Sequence, residues 1–131
     1  MPCSILLYQE SKGVVPFHDW LITLTRPSKK QNLKAAARVK SLIEMLAREG
    51  HGLRRPIAAP LAGGIHELRA RVGTVNYRVL YFFAGSGVAV LALGCTKEGE
   101  VDSNDISTAA EYKEKFEKDP KKHTYVESTV S

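Results

Sequence analysis

Apolar residues along this chain recur with two different periods. From Pro16 onward, Phe17, Trp20, Leu21 and Leu24 are spaced i, i+3, i+4, i+7, which places all four on one helical face. Pro16 suits the first helical position, where its missing N–H costs nothing, and Pro27 ends the segment. Ser28 to Gln31 then reads as a capping box, with Ser28 as the cap and Gln31 reaching back. The helix that follows is predicted to run to about Glu49. Its apolar stripe is Ala35, Ala36, Val39, Leu42, Ile43 and Leu46, and Lys30, Lys34, Arg38 and Arg48 lie on or near the opposite face. Gly50 is its stop signal.

Elsewhere the pattern is that of strands. Residues 4–10 (SILLYQE) form a short apolar run closed by Ser11, Lys12 and Gly13. Residues 51–64, with two prolines and Arg54-Arg55, read as a loop. A β-meander is predicted next. It consists of 65–72, a two-residue Gly73-Thr74 turn, Val75–Phe83, a tight connection at 84–87, and 88–94. The continuous apolar run of the last strand predicts burial on both faces. A final helix is expected over about 104–118, with Asp102 or Ser103 as its cap. Its apolar stripe is Ile106, Ala109, Ala110 and Phe116, supported by Glu111–Lys115 and Glu114–Lys118 pairs. The predicted fold is α+β, a single small domain ordered β-α-α-β-β-β-α. A mainly antiparallel sheet carries a helical hairpin on one face, and the C-terminal helix packs separately. The domain is expected over 1–119, with 120–131 a polar, mobile tail.

Composition narrows the class. The chain has 131 residues, 44% hydrophobic and 25% charged, so one globular domain is expected and an extended disordered or coiled-coil chain is not. Nineteen Lys and Arg against fourteen Asp and Glu give a net charge of +5, which favours an anionic partner. Two cysteines, Cys3 and Cys95, make neither a disulfide scaffold nor a four-thiolate zinc site. The four histidines, His18, His51, His66 and His123, lack HxxxH spacing, so no metal site is expected. No apolar run approaches the roughly 20 residues of a bilayer span. The N-terminus lacks the positive start of a signal peptide, so a cytoplasmic protein with no membrane partner is expected.

Strand alternation assigns the polar side chains to faces. Leu68, Ala70 and Val72 share one face of their strand, and Glu67, Arg69 and Arg71 share the other. In Val75–Phe83, Asn76, Arg78, Leu80 and Phe82 alternate with Tyr77, Val79, Tyr81 and Phe83. Arg78 sits in an otherwise apolar strand, where a guanidinium needs a carboxylate, a carbonyl or an anion-filled cleft. Lys97 follows the last strand. Each residue also has an ordinary explanation. Arg69 and Arg71 fit solvated strand positions, Arg78 fits a pair with Glu67, and the tyrosines fit packing roles. His66 fits a hydrogen-bonded boundary residue, and the basic helix face fits simple solubility.

The order of features points further. Residues 61–83 read LAGGIHELRARVGTVNYRVLYFF, and Val88–Lys97 reads VAVLALGCTK. The Gly-x-x-Glu-Leu-Arg and Tyr-Arg-Val-x-Tyr combination resembles small toxins of type II toxin–antitoxin systems in the RelE/ParE superfamily. The nearest likeness is to the HigB-like, phage-derived branch, and it covers most of residues 4–118. The branch's His, Phe and second Lys after the third strand are replaced here by Leu93, Cys95 and Glu98, while Gly94 and Lys97 remain.

The resemblance implies a RelE-like fold and an mRNA endoribonuclease, often working on the ribosome. It also implies a cognate antitoxin, expected to be a helix-turn-helix protein. The RNA 2′-hydroxyl is the nucleophile, so neither metal nor cofactor is required. Arg69 and Arg78 are the candidate charge stabilisers and Lys97 the third cation. Tyr77, Tyr81 and His66 are candidates for proton transfer or base stacking. Alternation puts Tyr77 and Tyr81 on the face away from Arg78, so they rank below the cations. Arg71, Arg54, Arg55, Lys34 and Arg38 are candidate RNA contacts. The alternative is a non-enzymatic basic module of the same fold, either a topoisomerase inhibitor or a degenerate toxin that only binds its antitoxin. Leu93, Cys95 and Glu98 favour it.

Overall fold

A computed structural model describes residues 2–25 and 30–126. It contains β1 (Ser4–Leu7), α1 (Pro16–Thr25), α2 (Lys30–Glu49), β2 (Ala58–Pro60), β3 (His66–Val72), β4 (Val75–Phe83), β5 (Val88–Lys97) and α3 (Ser103–Lys118). Ser28 and Pro27, the expected cap and helix stop, lie outside the described residues. The strands form one sheet in the order β1-β5-β4-β3-β2, with β1 parallel to β5 and the other neighbours antiparallel. The fold is thus α+β, with a five-stranded mixed sheet.

Both faces of the sheet are covered. The α1–α2 hairpin packs Phe17, Leu24, Ala35, Val39 and Leu46 against Leu68, Tyr77, Val79 and Leu91. On the other face, α3 sets Ala109 and Phe116 against Leu80, Phe82, Val90 and Leu93. Burying each such large apolar side chain stabilises the fold by about 1.5–3 kcal/mol. β4, in the middle of the sheet, is consequently buried along nearly its whole length.

Three local expectations are corrected. Residues 51–64 are not all loop. A 3₁₀ turn (Gly50–Gly52) follows α2, and β2 adds a fourth strand to the meander side, pairing Ala58 with Leu68 and Pro60 with His66. Three residues ending in proline carry no alternation to read, and proline is tolerated there because β2 is an edge strand. Gln31, whose expected partner Ser28 lies outside the described residues, bonds across to the sheet. Its amide donates to the Tyr77 hydroxyl at 3.2 Å and to the Val72 carbonyl at 3.4 Å. Lys115 pairs with Glu10 at 2.8 Å rather than with Glu111. The segment after α3 begins packed rather than mobile. His123 is buried, Thr124 bridges Tyr8, and the Tyr125 amide donates to the Leu7 carbonyl at 2.8 Å. This closes the outer edge of β1, which would otherwise present unpaired backbone groups.

Two register features position the side chains that matter. Gly73, at φ 64°, opens the two-residue turn, so Val72 pairs with Val75 and Arg69 stands directly opposite Arg78. In β5 the register shifts. Leu80 pairs with Leu93 but Tyr81 pairs with Leu91, leaving Ala92 as the extra residue of a bulge. Beyond it Leu93, Cys95 and Lys97 share the Arg78 face, and Gly94 turns to the hairpin face under Trp20.

Gly94 leaves no room for a side chain. A Cβ there would stand 2.0 Å from Trp20 Cδ2, and Trp20 Nε1 also donates to Thr96 Oγ1 at 3.0 Å. Gly94→Ala is expected to displace the indole and to cost about 1–3 kcal/mol by denaturant unfolding. Trp20 is the sole tryptophan, so its fluorescence should shift at the same time. An unchanged midpoint and an unchanged spectrum would contradict this packing.

Candidate functional site

The site is built where α3 stops covering the sheet. On that face β3 presents Glu67, Arg69 and Arg71, β4 presents Asn76 and Arg78, and β5 presents Cys95 and Lys97. Glu67 lies between the two central arginines. Its Oε1 is 3.6 Å from Arg69 Nε and its Oε2 is 3.3 Å from Arg78 Nε. Arg78 is 3% exposed and Glu67 5%, so this ion pair is sealed from solvent, while Arg69 is half-buried. The pair is close but poorly aligned. Neither Nε nor Nη1 of Arg78 makes a hydrogen bond. A buried guanidinium edge without an acceptor is costly unless something else comes to fill it.

The pair borders a cleft. Arg55, Arg69, Arg78, Glu67, Glu100 and Ile106 are among the residues lining a space of about 270 Å³ between β2, β3, β4 and the approach to α3. The cleft holds three cations against two carboxylates. A neighbouring cleft runs from Arg69 to Arg71, Asn76 and Arg38, and the Arg38 guanidinium donates to the Arg71 carbonyl. Arg71 also bonds the Gly73 carbonyl at 3.1 Å. Lys34 is exposed one helical turn before Arg38. Arg54 and Arg55 are exposed beside β2. The sequence-predicted cations Arg69, Arg71, Arg78 and Lys97 therefore share one sheet face, with Arg38 and Arg55 at its margins.

Lys97 is anchored rather than loose. Its Nζ lies 2.8 Å from Asp102 Oδ2, and Asp102 Oδ1 accepts from the Asn104 amide at 2.8 Å, capping α3. Of the two cap candidates, Asp102 is the one used. The hydrogen bond to Asp102 raises the Lys97 ammonium, and the same bond, with the Asn104 amide, lowers the Asp102 carboxyl. Cys95, opposite Arg78, is pushed up to about 11, mainly by burial and then by Asp105. It stays a thiol at neutral pH.

Tyr77, Tyr81 and His66 fall on the opposite face, as alternation requires. Tyr77 is buried under α2, where its hydroxyl donates to Asn32 Oδ1 at 3.0 Å. Tyr81 is buried, and burial, followed by the nearby Cys3, pushes its phenol up to about 12. His66 stacks on Tyr81 with ring centroids 5.4 Å apart. The structure does not bring these three to the arginine cluster. Two participants were not singled out as site residues from sequence, Glu67 and Asp102. Glu67 stands two positions before Arg69 on the same strand face, which is the signal that marks it.

Glu67→Gln is expected to leave Arg78 buried without a counter-charge and to cost about 3–5 kcal/mol of stability. The double change Glu67→Met, Arg78→Met should recover most of that loss in the same denaturant titration. A Glu67→Gln protein as stable as the parent would sink the role of Glu67 as buried counter-ion. For Lys97 and Asp102 the signs are opposite. Asp102, lowered in the fold, contributes stability that is lost as pH falls from 3.8 through its folded value. Lys97, raised in the fold, contributes stability that is lost as pH rises from 10.5 through its folded value. Asp102→Asn should flatten both limbs of a melting-temperature profile against pH, and unchanged limbs would exclude the pair as their source.

The model of the phage-derived protein Gp49-like family (DUF891) matches residues 28–114, which includes α2, the β-meander and most of α3. No curated protein matches the chain. The matched segment carries Glu67, Arg69, Arg78 and Lys97. The chain belongs to the phage-derived Gp49-like family, within the RelE/HigB-like toxin superfamily.

Proposed function

We propose that this protein is the toxin of a type II toxin–antitoxin system and acts as an mRNA endoribonuclease. Family membership points to a toxin–antitoxin toxin and hence to an antitoxin partner. The observation that carries the ribonuclease reading is the Arg69–Glu67–Arg78 cluster, which borders a cleft lined by three cations with Arg69 half-exposed in it. Arg69, half-exposed in that cleft, is the guanidinium a phosphodiester meets first, and a planar fork suits two phosphoryl oxygens. The RNA 2′-hydroxyl gives its proton to water as its oxygen attacks phosphorus, the P–O2′ bond forms, the P–O5′ bond breaks, and the leaving 5′-oxygen takes a proton from water. The products are a 2′,3′-cyclic phosphate and a 5′-hydroxyl. Arg78 and Arg69 stabilise the charge gathered on the equatorial oxygens, and Lys97 adds a third positive charge on the same face. Glu67 holds the two guanidiniums in register, and Arg38, Arg55 and Arg71 extend the attraction along the strand.

A second reading has one observation in its favour. The positions flanking Arg78 on β5 offer buried Leu93 and a neutral Cys95 thiol, neither of which transfers protons at neutral pH. A binding-only toxin on this fold would have that composition.

Expression without the antitoxin should arrest growth of a bacterial host and fragment its mRNA. Arg78→Lys should relieve both, with cleavage falling by about 10²-fold or more, the scale of one lost transition-state donor. Growth arrest with intact RNA would select a non-nuclease target. Normal growth with intact RNA at high levels of folded protein would select the binding-only form.

A further inference from the structure

Behind β2 lies a second cleft, of about 390 Å³, whose chemistry differs from that of the first. It is walled by the rings of His51, His66, Tyr81 and Phe83, with Arg54 and Arg55 at its mouth. The rings are ordered against one another. His51 lies on Phe83 with centroids 3.6 Å apart and planes 19° apart. His66 lies along Tyr81 and meets Phe83 edge-on at 5.2 Å. The two clefts share Arg55, Ala59 and Pro60, so they meet across the edge strand β2.

We infer that this ring-lined cleft holds one unpaired nucleobase of the RNA strand whose phosphate occupies the Arg69/Arg78 cleft. The inference rests on the ribonuclease reading and names the subsite that reading lacks. Single-stranded RNA is gripped by pairing a cationic track for phosphates with aromatic plates for splayed bases. Here the plates and the track lie on opposite sides of a three-residue strand, and Arg55 belongs to both. His51 sits on an exposed 3₁₀ turn between two glycines, at stacking distance from Phe83, which is the position of an outer plate for an entering base. Burial, and then the nearby His51, lowers His66, so it serves at neutral pH as an uncharged ring. This places His66 and Tyr81 in base recognition rather than in the proton transfer of the cut.

The test uses short 2′-O-methyl oligoribonucleotides, in which the attacking hydroxyl is blocked. One series has full sequence and a second carries a single abasic position moved stepwise along the strand. The parent protein should lose roughly 10- to 100-fold in affinity at one abasic position, the worth of one stacked base. His51→Ala, at an exposed site, should bind full-sequence RNA that much more weakly and be insensitive to the abasic position. His66→Leu should do the same, keeping the wall filled while changing the ring. Arg69→Gln should weaken both series equally. If Arg69→Gln weakens binding while His51→Ala and His66→Leu do not, the base subsite is wrong and the phosphate site stands. If the parent binds no RNA, both fail. Unchanged RNA binding with lost antitoxin binding in the two histidine variants would assign the cleft to the protein partner and overturn the proposal.

Discussion

A carboxylate sealed between two guanidiniums organises the working face of this domain. Glu67 is deeply buried, and Arg78 more deeply still, so each charge needs the other beside it. Each makes the other tolerable, and Arg69 draws on the other oxygen of the same carboxylate from the half-exposed side. An arrangement of this kind adds little net stability over well-packed apolar residues. What it provides is orientation. Two cations that would repel at opposed strand positions are held side by side at the border of a cleft.

The surrounding architecture leaves an open cleft beside that pair. α3 covers the sheet through Ala109 and Phe116 but leaves the outer halves of β3 and β4 to the cleft. Asp102 then serves twice, capping α3 with one oxygen and fixing Lys97 with the other. The position of the helix and the position of a site cation are therefore set by the same side chain. On the opposite face the helical hairpin fills the core with Tyr77, Val79 and Leu91, which gives the cationic face a rigid backing.

Much of this was legible from residues alone. The helices and β4 announce themselves because their apolar periods are long and unbroken. The meeting of Arg69 with Arg78 follows from a two-residue turn at Gly73-Thr74. Val72 pairs with Val75, and stepping back three positions on each strand reaches the two arginines. Other features left no such trace. β2 is too short for alternation, and proline at its end reads as a breaker. The docking of His123 and Thr124 depends on Tyr8, more than a hundred positions away in the chain. Tyr77 and Tyr81 stood close to Arg78 in sequence, but the pleat separates neighbours onto opposite sides, and burial under the hairpin fixes Tyr77 there.

The bulge at Ala92 acts as a commutator for β5. With regular alternation from Val90, the cationic side would receive Gly94 and Thr96, and Leu93, Cys95 and Lys97 would be driven into the helical hairpin. One inserted residue exchanges the two sets and so assigns glycine to the indole and lysine to the arginine side. The chemistry of this face is consequently written in the length of a strand as well as in its letters. Removing one residue there would alter it more than most substitutions, because every side chain beyond the bulge would change sides together.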